Sequence, residues 1–139
     1  MKQFYKSKSL LRLTFLFAVL FSVISVVNSC KKDDDEKFTD HIVQFEVKGT
    51  TGTVLKTVVT QVGTNNQNIF NPTGTVWTSG EFFVNSSQSQ LNLAANAVLT
   101  SADSELVVNI YIDGEIAKTK KVTGAGEKNA AVVYSFLEL

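Results

Sequence analysis

Beyond residue 40 this chain alternates apolar and polar positions with a period of two. Val43, Phe45 and Val47 fall on one face of residues 42–48, and Gln44, Glu46 and Lys48 on the other. That is the mark of a half-buried strand. Gly49-Thr50-Thr51-Gly52 interrupts the pattern, and β-branched residues between 53 and 62 resume it. Gly63, Thr64, Asn65, Asn66, Gln67 and Asn68 read as a polar loop. Ile69-Phe70 gives a short apolar contact before the turn signal Asn71-Pro72-Thr73-Gly74. Residues 75–78 and 81–84 read as short strands separated by Ser79-Gly80, or as one strand with a bulge at the glycine.

The alternation is cleanest over residues 90–99, where Leu91, Leu93, Ala95, Ala97 and Leu99 share a face. Its alanines would suit a helix, but the spacing is two and not 3.6. Residues 105–112 and 115–122 flank Asp113-Gly114, a pair that supplies the positive φ angles of a type I′ hairpin turn. The returning strand carries Lys118 and Lys120 among its apolar residues, as strands at a sheet edge do. Gly124 to Lys128 reads as the next turn, and residues 130–137 close the pattern. About seven strands in roughly a hundred residues, with turn signals between them and no amphipathic helix, predict an all-β, Ig-like antiparallel β-sandwich. A small barrel is the alternative. With only one cysteine in the chain, such a sandwich is held by packing, and Trp77 is expected at its centre.

The first residues follow a different pattern. Lys2, Lys6, Lys8 and Arg12 precede an apolar run over residues 13–27, with no acidic residue among them. A basic start followed by ~7–15 apolar residues is the layout of a secretory signal. The run is short for the ~20 residues a membrane-spanning helix needs. Val27-Asn28-Ser29-Cys30 then resembles the lipobox of bacterial lipoproteins, with an aliphatic residue three before the cysteine and a small one just before it. The resemblance implies cleavage before Cys30 and acylation of its thiol and new amine. Cys30 is the sole cysteine and precedes Lys31, Lys32, Asp33, Asp34, Asp35 and Glu36, so neither an internal disulfide nor burial suits it. The charge block reads physically as a solvated tether. Cys30-Lys31-Lys32-Asp33-Asp34-Asp35 also resembles the lipoprotein export signal of Bacteroidetes, which implies an outer-membrane, cell-surface or periplasm-facing location. The expected organisation is a signal peptide over 1–29, a lipidated tether over 30–40 and a sandwich over 41–139.

Charge changes the picture only after the leader is set aside. The chain has thirteen basic and thirteen acidic residues, and four of the basic ones lie in the leader. Nine basic against thirteen acidic residues leave the remainder at −4. Nucleic-acid binding, which needs clustered lysine and arginine, has no support in that balance.

The sequence offers no catalytic constellation. His41 is the only histidine, which rules out a two-histidine metal site and reads as a plain surface residue at a strand start. Asp103/Glu105 and Asp113/Glu115 sit at turns, where acids are common for backbone reasons. The expectation is a non-enzyme without metal or cofactor. Binding is the live class. Trp77 and Tyr111, and Phe82 or Phe83, would contact a glycan or protein if exposed and fill the core if not. The polar loops at 63–68 and 85–90 offer hydrogen bonds to a ligand.

A second resemblance spans residues 43–137. Phe45-Glu46-Val47-Lys48-Gly49-Thr50, Trp77, Leu91-Asn92-Leu93-Ala94-Ala95-Asn96 and Ile110-Tyr111-Ile112-Asp113-Gly114-Glu115, in that order, resemble the MmpS family. Those are exported mycobacterial β-sandwich proteins, accessory to transporters of the MmpL type. The resemblance implies an envelope domain that assists a transporter. It departs in having Val76 where a proline commonly precedes the tryptophan, and a lipid in place of a membrane helix. A carbohydrate-binding or adhesion module at the cell surface is the other expectation.

Overall fold

A computed structural model describes residues 38–88 and 90–137; Cys30 and the charge block 31–36 lie outside them. Eight strands follow in order: β1 (Asp40–Gly49), β2 (Val54–Val62), β3 (Asn65–Phe70), β4 (Val76–Asn85), β5 (Gln90–Leu99), β6 (Glu105–Ile112), β7 (Glu115–Thr123) and β8 (Gly126–Ser135). They form two four-stranded antiparallel sheets, β4-β1-β6-β7 and β3-β2-β5-β8. This is the expected all-β sandwich, with one strand more than the sequence suggested.

The extra strand is β3. Residues 65–70 read as loop followed by a short apolar contact, yet they pair with β2 from Val62↔Asn65 to Thr57↔Phe70. The polar loop shrinks to Gly63-Thr64, with Gly63 at φ 56° starting a two-residue turn. β3 borders its sheet, and most of it is exposed, so burial never selected the alternation that marks other strands. At the second hairpin Asp113 and Gly114 take φ 53° and 84°, the type I′ geometry their residue types foretold. The lysine-bearing strand β7 likewise lies at an edge.

The core forms where the inward faces meet. Val43, Phe45 and Val47 of β1, Val84 of β4 and Leu106, Val108 and Ile110 of β6 come from one layer. Leu55 and Val58 of β2, the five alternating residues of β5, and Ala130 of β8 come from the other, with Phe136 just beyond β8. Trp77 is not at this centre. It is half-buried and packs against the core's margin, because β4 is an edge strand and the central strands β1 and β6 fill the middle. On one side of the sandwich β7 and β8 approach each other across the layers. On the other side β3 and β4 barely meet, and the layers stay apart.

Candidate functional site: an interlayer cleft between two edge strands

The gap between β3 and β4 is a cleft of about 250 Å³. Phe45, Val62, Trp77 and Phe82 supply its apolar wall, and Thr60, Asn65, Gln67, Thr78 and Ser79 its polar rim. Phe45 and Phe82 pack tilted, ring centroids 5.5 Å apart. No charged residue lines the cleft.

A bulge in β4 shapes the rim. Between Gln44↔Glu81 and Glu46↔Thr78, β1 contributes Phe45 alone while β4 contributes Ser79 and Gly80, the latter at φ 71°. The Ser79 hydroxyl accepts from the Phe45 N–H at 2.9 Å and donates to the Gly80 carbonyl at 2.7 Å. Thr78 Oγ1 accepts from Gln44 Nε2 at 2.8 Å. Thr78 Oγ1 also accepts from the Gly80 N–H at 3.1 Å, so both hydroxyls are occupied in holding the bulge. Among the described residues, the side chains of Thr60, Asn65 and Gln67 make no hydrogen bond within the protein, although Thr60 is only 6% exposed. Asn65 and Gln67 are exposed, and the Thr60 hydroxyl oxygen reaches solvent through the cleft, so all three are open to bond a ligand that enters it. The alternation of Asn65, Gln67 and Ile69 was the sequence signal for this rim, hidden because amides do not read as inward-facing residues.

Tyr111, the other aromatic candidate, stands on the opposite face of the same sheet. Its neighbour Ile110 points into the core, so Tyr111 points outward, and the two candidates do not converge. Tyr111 O–H donates to Glu46 Oε2 at 2.8 Å, Asn109 Nδ2 donates to the same oxygen at 3.0 Å, and Lys48 Nζ lies 2.9 Å from Glu46 Oε1. Thr119 Oγ1 donates to Asn109 Oδ1 at 2.6 Å, extending the network to β7. Burial alone would raise the Glu46 pKa, but the hydrogen bonds from Lys48, Asn109 and Tyr111 outweigh it and hold the carboxyl below its ordinary range. Bonding to Glu46 raises the pKa of Tyr111 and of Lys48.

Because the folded Glu46 pKa is depressed, its contribution to stability is present above the unfolded glutamate range and fades as pH falls through the folded value. Glu46→Ala is expected to cost about 1–3 kcal/mol near neutrality, by orphaning the buried Asn109 amide. Glu46→Gln should cost less and flatten the acid limb of the stability profile, measured by urea unfolding between pH 3 and pH 7. An acid limb unchanged in Glu46→Gln would contradict this account.

His41 is not the plain surface residue expected. Its ring is half-buried, stacks on Phe136 with centroids 5.1 Å apart, and donates from Nδ1 to Asp113 Oδ2 at 2.7 Å. Asp113 Oδ1 accepts the Ile42 N–H at 2.9 Å, so the hairpin tip is fastened to the start of β1. The His41 bond first, and the Ile42 N–H second, hold the Asp113 carboxyl below its ordinary range. The remaining acids disperse: Glu105 pairs with Lys121 at 2.9 Å, while Asp103 and Glu115 are exposed. Among the described residues no three His, Cys, Asp or Glu side chains converge as metal ligands.

Among the described residues the exposed aromatics Phe38, Phe70 and Phe83 enter no ring–ring pair. Phe83 on β4 is 79% exposed and pairs with exposed Ile42, whereas Phe70 belongs to β3 in the other sheet. Among the described residues no helix is long and apolar enough to cross a membrane. In comparisons with known proteins, no family model and no curated protein matches this chain.

Proposed function

We propose that this chain is a lipid-anchored protein of the outer membrane whose sandwich is a non-enzymatic interaction module, working through the cleft between β3 and β4. The observation that carries the reading is that cleft: an aromatic wall faced by Thr60, Asn65 and Gln67, whose side chains are unused among the described residues. Ligand sites combine an apolar surface with a few placed polar groups in this way. The lipobox-like junction at Cys30 supports the anchor, and the Bacteroidetes-like charge block 31–35 supports the outer-membrane address. The likeness to MmpS proteins supports an envelope partner such as a transporter.

The make-up of the cleft favours a second reading, a glycan ligand. Tryptophan beside uncharged amides and hydroxyls suits a neutral, hydroxyl-bearing ring. At about 250 Å³ the space falls short of the ~300 Å³ where drug-sized pockets begin, so it takes one ring or one large side chain.

Trp77 is the only tryptophan, so its emission reports on the cleft directly. Titration with neutral oligosaccharides, and separately with solubilised envelope proteins, is expected to shift that emission saturably. Trp77→Ala should weaken binding of the effective ligand at least tenfold, read by calorimetry. Saturable binding that leaves Trp77 emission unmoved and tolerates Trp77→Ala would place the working surface elsewhere.

A further inference from the structure

We infer that β3 is a self-pairing edge, through which two copies of this chain join their β3-β2-β5-β8 sheets across a twofold axis at Asn68. Val62 and Asn65 flank a two-residue turn and so form a hydrogen-bonded pair. Strict alternation along the ladder gives Thr60/Gln67 and Val58/Ile69 the same status, and the Asn71 N–H donating to the Lys56 carbonyl at 2.7 Å continues the series. Asn66, Asn68 and Phe70 therefore turn their backbone N–H and C=O groups away from β2, toward the open side. An extended chain laid against them completes the ladder.

Charge distinguishes this edge from the other three. Self-pairing of β7 would set Lys118, Lys120 and Lys121 against one another. The β4 edge is broken by the Ser79-Gly80 bulge and carries Glu81. β8 carries Glu127 and Lys128 near the start of its pairing and lies against β7 across the layers. Those are the devices that keep sheet edges apart, and β3, Asn65-Asn66-Gln67-Asn68-Ile69-Phe70, has none of them. It carries no charge, no proline, no glycine and no bulge, and uncharged amide-rich strands stack on themselves readily.

The occupant is a second copy because the free groups are self-complementary. With the axis at Asn68, that residue faces Asn68 of the partner subunit, and Asn66 faces Phe70 of the partner subunit. All outward-turned residues then pair, giving about six backbone hydrogen bonds. Opposite charges are not needed and like charges do not meet. Phe70, which is 70% exposed in one copy, is brought against the partner's Asn66.

A hydrogen-bonded antiparallel pair sets its Cα atoms ~5.5 Å apart, inside the ~4.4–6.8 Å a disulfide spans. Asn68→Cys in the native protein, oxidised mildly in its own membranes, should run mostly at double mass on a non-reducing gel. Lys120→Cys on β7 and the unmutated chain should stay single, and any product joined through Cys30 would appear equally in all three. Asn68→Lys places like charges across the axis and should weaken dimerisation at least tenfold by sedimentation of the detergent-purified protein, with an unchanged circular-dichroism spectrum. No more product from Asn68→Cys than from Lys120→Cys would overturn the inference, as would an Asn68→Lys protein that dimerises undiminished. A partner of another kind, captured at Asn68→Cys in place of the second copy, would overturn it too. Ligand binding read at Trp77 is a separate measurement, so failure of self-pairing leaves the cleft's role standing.

Discussion

Phe45→Ala is expected to remove about 3–5 kcal/mol of folding stability, the cost of emptying a large aromatic site in a packed core. Phe45 is 1% exposed, lies on a central strand and packs tilted on Phe82. Its backbone N–H is also what the Ser79 hydroxyl grips, so the cavity would open beside the β4 bulge and enlarge the cleft. Domains of this size have only ~5–15 kcal/mol to lose. A urea titration would show the midpoint falling with little change in slope. Phe83→Ala is the control: its ring is 79% exposed, and the substitution should stay within about 0.5 kcal/mol. Equal losses in the two variants would mean that the interior is not centred on β1.

Cys30→Ser is expected to move the protein wholesale out of the membrane fraction. The proposed anchor is covalent lipid on that one sulfur and on the amine released beside it. Each buried methylene contributes about 0.8 kcal/mol; one chain alone holds marginally, while two or more hold stably. Without the thiol neither cleavage before residue 30 nor acylation has a substrate. The variant should keep its leader or be released as unlipidated protein, distinguishable by intact mass. An unmodified thiol in the native protein, or a serine variant that still sediments with lipid, would remove the anchor from the account.

Much of the sandwich was legible because its central strands obey a simple rule. β5 shows all five inward residues at strict spacing, and Asp113-Gly114 announces its turn by composition alone. Legibility failed at the edges. In β3 there is little burial to impose alternation, and its inward positions hold amides, so it read as loop. Trp77 was expected at the centre on size alone, but position in the sheet overrides size when a large side chain sits on a border strand. The cleft depends on which edge strands face each other across the layers, a fact of topology that no local window contains. Glu46 was placed on the outward face correctly, yet its bonds to Asn109 and Tyr111 depend on the pairing of β1 with β6.

The first strand after the proposed tether is β1, and it is bonded along its length to β4 on one flank and β6 on the other. A pull applied to the start of β1 along that strand would load the bonds on both flanks in shear, so that they must give way together. An outermost strand would instead be peeled open one bond at a time. His41 adds a latch at the point of entry by clasping the 113–114 tip. On the proposed lipid anchor, a domain built this way would resist a tug from the ligand it holds, because its first strand is clamped on both sides.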